Sequence, residues 1–237
     1  SSVCTIILAY GNRTKQLKQV LLKVLEQEIG HVIIVANAVS NETHHLLTDL
    51  IKLNEGRLEI LISNENIGSA GGYALGLSKA IKEPYDYFWL LDDDNLLLKD
   101  SLSALLDAYS MHEGKIRKEE LVLQSFRESL PEMLEIVNKK RPHTLPRPAS
   151  FIGFHLFNLW DDFCSKLFMR NQKDHLVLNH KQKFIRLHSA PYGGLFFHKD
   201  AINILGIPNP LFFLYADDFA YTLNFTLKGG SLLLVPD

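Results

Sequence analysis

The chain has 237 residues, 46% of them hydrophobic, enough to bury one large core or a core with a small appendage. A net charge of −2 excludes the broad basic field of a nucleic-acid binder, and two cysteines, Cys4 and Cys164, are too few for a disulfide framework. No apolar run approaches the ~20 residues that span a bilayer and no signal peptide is visible, so a reducing, cytoplasmic setting is expected.

The chain opens on "VCTIILAY" (3–10), β-branched and apolar throughout, which predicts a buried strand. After "GNRT", Leu17, Val20, Leu21, Val24 and Leu25 recur with helical spacing. "HVIIVA" (31–36) predicts a second strand. Ser40 or Asn41 then caps a helix bearing Leu46, Leu47, Leu50 and Ile51. "LEILI" (58–62) is a third strand. "SNENIGSAGG" follows, leading into a helix with Tyr73, Ala74, Leu77, Ala80 and Ile81 on one side. "YDYFWLL" (85–91) is a fourth strand running into Asp92, Asp93 and Asp94, and a helix from about Ser101 to His112 turns Leu102, Leu105, Leu106 and Tyr109 inward.

Strands that are apolar without alternation, separated by helices, predict a parallel sheet covered on both faces. Ligands of such sheets bind beyond the carboxyl ends of the strands. "GNR" (11–13), "NENIGSAGG" (64–72) and "DDDN" (92–95) all fall at such ends, which predicts one shared site.

Residues 113–150 are charged and end in a proline-broken basic loop, "NKKRPHTLPRPAS". The Phe- and Leu-rich stretch 151–170 fits neither period. It reads as a lid or satellite core, or else as an acceptor-binding or membrane-surface face. Order returns with strand-like "FIRLH" and "GGLFFHK" and a short helix "KDAINILG" ended by Gly206. "FFLYADD" leads into a helix with Phe219, Leu223 and Leu227 four apart, ended by Gly229 or Gly230. The strand-like first and last runs read as cut from a longer chain.

Three clusters carry chemistry. Alternate residues of an extended segment point the same way, so Asp92 and Asp94 can converge on one ion; hard oxygen ligands favour Mg2+ or Mn2+ bridging diphosphate oxygens. The plainer alternative is a solvated turn with a helix cap, which needs fewer than three carboxylates. Gly68, Gly71 and Gly72 at a strand-to-helix turn allow close approach of an anion, although glycines also serve helix packing. Asp217 and Asp218 either cap a helix or supply a general base. His188 and His198 rank as structural rather than as ligands.

In this order the stretches "IILAYGNRTKQLKQVLLKVLEQ", "HVIIVANAVSNET", "NENIGSAGGYALGLSKA", "DYFWLLDDDN" and "PYGGLFFHKDAINILGIPNPLFFLYADDFAYTLNFTLKGG" resemble the family 2 nucleotide-sugar glycosyltransferases of GT-A fold. They are similar in particular to the bacterial galactofuranosyl- and rhamnosyltransferase branches. The resemblance implies an α/β fold: a Rossmann-like, mostly parallel sheet flanked by helices, with a mixed C-terminal acceptor-binding part. It divides the chain into a donor half (1–112), a variable insertion or lid (113–183) and an acceptor and catalytic half (184–237).

The resemblance also implies roles. Asp92 and Asp94 match the pair that holds Mn2+ or Mg2+ on the donor diphosphate, with Asp93 toward ribose or sugar. Ala9, Tyr10 and Asn37 lie where the family surrounds the nucleotide, and Asn66 and Gly68 on the loop approaching donor sugar or phosphate. Tyr192, Gly193 and Gly194 match the segment beside the acceptor. Asp218 matches the catalytic base, with Asp217 next to it. The implied partners are a UDP- or dTDP-type sugar donor and a glycan or lipid-linked glycan acceptor, with peripheral contact at the inner face of the plasma membrane as a variant. The implied reaction inverts configuration in one displacement.

Two departures stand out. Ala36-Asn37-Ala38 replaces the family's usual acid at the base pocket, and the chain reaches residue 237 before the position where the family often places a late histidine ligand. The rival readings are a sugar-phosphate nucleotidyltransferase, for which "GNRTK" is too poor in glycine, and a non-catalytic glycan-binding or scaffold module.

Overall fold

The computed structural model describes residues 2–54, 56–127, 130, 133, 137, 184–211 and 217–235. The basic loop, the 151–170 stretch, Cys164 and the "FFLYA" run lie outside these residues. In the first half, β1 (Val3–Tyr10), β2 (His31–Asn37), β3 (Leu58–Ser63) and β4 (Tyr87–Asp92) alternate with α1 (Thr14–Leu25), α2 (Asn41–Leu53), α3 (Gly68–Ala80) and α4 (Ser101–Ser110). The remainder comprises β5 (Leu121–Ser125), β6 (Ile185–Leu187), β7 (Leu195–His198), α5 (Ile202–Leu205), α6 (Asp217–Leu227) and β8 (Ser231–Val235), with short 3-10 turns before β5 and α5.

All eight strands join one sheet in the order β3-β2-β1-β4-β7-β5-β8-β6. β3, β2, β1 and β4 are parallel, as their unbroken apolar runs predict. The far side is mixed: β7 runs antiparallel to β4 and β5, β8 is parallel to β5, and β6 closes the edge antiparallel. Apolar clusters cover both faces. Leu17, Val20, Leu21 and Val24 of α1, with Leu102 and Leu105 of α4, pack one face; Tyr73 and Leu77 of α3, with Tyr221 and Phe225 of α6, pack the other.

Register brings the expected loops together. Tyr10 pairs with Asn37, Asn37 with Ser63 and Leu8 with Asp92, so β1 to β4 end along one edge. The antiparallel β7 starts at that edge, which places Tyr192–Gly194 beside the end of β4. β5 ends there too, since Gln124 pairs with Leu195. Helix α3 lies close on the sheet because it lacks side chains where it crosses. A Cβ on Gly76 would stand 2.5 Å from Ile6 Cγ2.

Three details differ from the pattern-based expectation. β5, inside the stretch expected to be an insertion, is buried in the mixed half of the sheet between β7 and β8. Helix α6 turns Tyr221, Thr222 and Phe225 inward and leaves Leu227 at the surface. Thr222 is wholly buried because its hydroxyl accepts the Ala190 N–H (2.8 Å) and donates to the Ala190 carbonyl (2.9 Å), a satisfied polar contact that hydropathy cannot reveal. Ile81 follows the last turn of α3 and is exposed rather than packed.

Candidate active site

The aspartate triplet is held by cations and donors from four other elements. Asp93 is buried; its Oδ2 accepts the Tyr10 N–H (3.0 Å) and its Oδ1 accepts from Arg13 Nη1 (3.0 Å). Burial pushes its carboxyl up, while the Tyr10 N–H and Arg13 guanidinium pull the other way. Asp92 accepts from the Tyr73 hydroxyl at Oδ1 (2.7 Å) and from Arg127 Nη1 at Oδ2 (3.0 Å). Asp94 accepts from Arg127 Nη2 at Oδ1 (3.3 Å) and from Arg13 Nη1 at Oδ2 (3.4 Å). Asn95 stiffens the turn: its Oδ1 accepts the Asp92 N–H (2.9 Å) and its Nδ2 donates to Asp94 Oδ1 (3.2 Å).

Tyr73 positions Asp92 from inside the core. Burial, then the Asp92 charge, raise its hydroxyl well above the ordinary tyrosine value, so it stays protonated and donates. Its ring lies against Tyr192 (4.8 Å between centroids), and Tyr192 lies against Tyr221 (5.4 Å). Gly193 is compelled by the same crowding: a Cβ there would stand 2.2 Å from Asp92 Oδ2 and 2.6 Å from Asn95 Oδ1. The Gly193 carbonyl accepts from Gln124 Nε2 (2.9 Å), and the Gly194 N–H donates to the Leu90 carbonyl (2.7 Å). Replacing Tyr73 by Phe removes the bond to Asp92 and leaves the ring packing. Metal-dependent nucleotide affinity should fall about tenfold while the melting temperature changes little, to be read by calorimetric titration beside a thermal melt.

The second expected cluster forms around Asn37, which is buried. Its Oδ1 accepts the Ile67 N–H (2.9 Å), and its Nδ2 donates to Asn66 Oδ1 (3.2 Å) and the Gly68 carbonyl (3.4 Å). Asn66 Oδ1 also accepts the Gly68 N–H (2.9 Å). Asn37 thus braces the 66–68 turn with both ends of its amide. Ala9 is buried in the core, whereas the Tyr10 side chain is about half exposed at the strand end.

The third cluster joins the second. Ser69, in the first turn of α3, donates to Asp217 Oδ2 (2.7 Å), linking the 64–72 loop to the start of α6. Asp217 is buried and Asp218 half-buried; Asp218 Oδ1 accepts the Phe219 N–H (2.8 Å). Burial, reinforced by the charges of Asp217 and Asp92, raises the Asp218 carboxyl to about 6. A carboxylate in that range is poised to take a proton near neutrality. His198, buried at the opposite end of β7 and pushed down by burial, caps the following turn by accepting the Asp200 N–H (3.2 Å).

Arg13, Tyr73, Ser69, Gln124 and Arg127 act on the triplet and its neighbours, and no spacing in the sequence marks them for that role. Arg13 lies in the flagged "GNR" stretch, and Tyr73 reads from periodicity as core only. Arg127 sits in a charged run with no local signal.

No cluster of three or more His, Cys, Asp and Glu side chains arranged to hold a metal occurs among the described residues. Asp92 and Asp94 are nevertheless suited to an ion that takes its other ligands from diphosphate and water. One guanidinium already bridges them, one nitrogen to each carboxylate.

The sheet order, the helices on both faces and the acidic turn at the end of β4 are those of the GT-A fold. A family model described as glycosyl transferase family 2 matches residues 4–174, and the chain belongs to that family. A search of curated proteins finds no match. Among solved structures, GalNAc-T7 with UDP, GalNAc and Mn2+ aligns over 99% of this chain and 42% of its own, at 12% identity and a TM-score of 0.67. S. aureus TarS aligns over 99% of this chain and 35% of its own, at 12% identity and a TM-score of 0.60. TarS 1–349 in complex with UDP-GlcNAc aligns over 100% and 56%, at 11% identity and a TM-score of 0.57. The chain thus spans roughly a third to a half of these neighbours. Among the described residues no helix is long and apolar enough to cross a membrane.

Proposed function

We propose that the chain is the catalytic domain of an inverting glycosyltransferase that moves a sugar from a nucleotide diphosphate to a hydroxyl of a glycan or lipid-linked glycan. The observation that carries this reading is the raised carboxyl of Asp218, placed at the head of α6 and tied through Asp217 and Ser69 to the loop beside the acidic triplet.

The Asp92 and Asp94 carboxylates are the groups that would hold Mn2+ or Mg2+. Such an ion neutralises the diphosphate and improves it as a leaving group. The 66–68 turn, braced by Asn37, offers backbone to the donor, and Tyr10 offers an exposed ring at the nucleotide end. Asp218 accepts the proton of the acceptor hydroxyl as that oxygen attacks the anomeric carbon from the face opposite the leaving diphosphate. The new C–O bond forms as the anomeric C–O bond to phosphate breaks, so configuration inverts. Tyr192–Gly194, beside Asp92, belong to the acceptor side of this arrangement.

The structural neighbours solved with UDP and UDP-GlcNAc put UDP first among the nucleotides to be tested. The galactofuranose- or rhamnose-like sugar rests on the sequence resemblance alone, and dTDP stands as the second candidate for that reason. Contact with the inner face of the plasma membrane, through the basic 138–150 loop, belongs to the same proposal.

Calorimetric titration of UDP, dTDP, GDP and CDP, each with Mn2+ and then with EDTA, tests the donor half directly. Metal-dependent binding of one nucleotide is expected. A folded protein that binds none would favour a non-catalytic module instead.

A further inference from the structure

Arg127 bridges the two carboxylates proposed to hold the divalent ion. Its two terminal nitrogens reach Asp92 Oδ2 (3.0 Å) and Asp94 Oδ1 (3.3 Å), one prong to each. The other oxygens are engaged from elsewhere: Asp92 Oδ1 by Tyr73 and Asp94 Oδ2 by Arg13. The Arg127 guanidinium holds one oxygen of each carboxylate, Asp92 Oδ2 and Asp94 Oδ1, and it shares the second with the Asn95 amide (3.2 Å). That side chain is only 15% exposed, against 33% for Asp92 and 47% for Asp94, so it lies beneath the carboxylates rather than straying over them from solvent.

We propose that Arg127 is the counter-cation of the Asp92–Asp94 pair before metal binds, displaced by the metal and then transferred to the donor diphosphate. This rests on the metal-binding role proposed for Asp92 and Asp94. Three adjacent carboxylates without a partner would repel one another, and the guanidinium bridge keeps them in a ligating arrangement until the ion arrives. The ion and the guanidinium compete for the same oxygens, so metal binds weakly alone.

The Arg127 backbone stays in place during the exchange. The neighbouring Phe126 N–H donates to the Val235 carbonyl (3.1 Å), and the Arg127 carbonyl accepts the Leu130 N–H (3.0 Å). Only the side chain must pivot. Once released it stands next to the ion, and a planar fork of N–H donors suits the diphosphate that accompanies the ion. Metal alone leaves the guanidinium without its carboxylates. Metal with nucleotide gives it phosphate oxygens instead, which couples the two ligands reciprocally.

The test is an Mn2+ titration followed by electron paramagnetic resonance, without nucleotide and then with UDP, on wild type, R127Q and R127K. Without nucleotide, R127Q should bind Mn2+ roughly tenfold more tightly than wild type, the equivalent of one bidentate ion pair. R127K, which offers a point charge instead of a fork, should fall between them. UDP should tighten Mn2+ binding strongly in wild type and much less in R127Q. Equal or weaker Mn2+ binding by a folded R127Q would overturn the proposal, and if that variant does not fold, R127K binding no tighter than wild type would do the same. Absence of Mn2+ binding in all three, with and without UDP, would instead remove the metal role of Asp92 and Asp94 and the proposal with it.

Discussion

Replacing Asp218 by Asn should abolish most sugar transfer, by ~10²–10⁴-fold in kcat, while leaving nucleotide affinity within about twofold of wild type. The amide keeps the size of the side chain but loses the negative charge and with it the capacity to take a proton. Among the described residues the Asp218 carboxylate accepts the Phe219 N–H and makes no hydrogen bond to the triplet, so the donor site should survive. The measurement is transfer rate beside calorimetric donor binding on the same sample. Parallel loss of both would mean that Asp218 supports the donor loop and is not the base.

Stability supplies an independent control. The Asp218 carboxyl is raised to about 6, chiefly by burial, so its ionisation opposes folding. That cost is absent below ~4, where the unfolded carboxyl is also protonated, and is fully expressed above about 6. Asp218→Asn removes the cost and should therefore melt no lower than wild type at pH 7, although it is inactive. In the proposed role as base, the same carboxyl should set the acid limb of the wild-type pH profile, with activity rising through about pH 6 as it ionises. The like charge of Asp217 adds to the upward shift that burial produces.

How much of this is legible from residues alone differs between the two halves. β1 to β4 are buried on both faces and parallel, so they read as plain apolar runs, and their loops fall at the carboxyl ends by topology. The mixed half is less transparent. β5 is five residues long and follows a charged turn, and its place in the sheet depends on pairing with β7 and β8 more than seventy residues away. The inward face of α6 contains a threonine satisfied by Ala190, so apolar spacing selects the wrong stripe.

Within the site, the acidic side chains are conspicuous and their counter-charges are not. A carboxylate triplet announces a missing cation. Arg13 and Arg127 reach it from 80 and 33 or more positions away and carry no local pattern of their own. Asn37 is the reverse case. The resemblance places it near the nucleotide, while the fold spends its amide on bracing the turn that carries Asn66 and Gly68.

Replacing Asp92 by Asn should lower metal-dependent nucleotide affinity by about two orders of magnitude, because a site with only two anionic protein ligands loses one of them. Two further effects would identify Asp92 as more than a generic charge. The Tyr73 hydroxyl, buried and directed at Asp92 Oδ1, retains an acceptor in the amide oxygen only if the amide takes the orientation that turns its NH2 toward Arg127. That orientation sets two donors against each other, so the variant should lose some stability even without metal, by about 1 kcal/mol. The Asp92 charge also raises the Asp218 carboxyl, so its removal should move the acid limb of any residual transfer to lower pH. Calorimetry with and without EDTA, a thermal melt and a pH profile read the three effects separately. Nucleotide binding that keeps its full metal dependence in this variant would take Asp92 out of the ion's coordination sphere and leave it as a partner of Tyr73 and Arg127 alone.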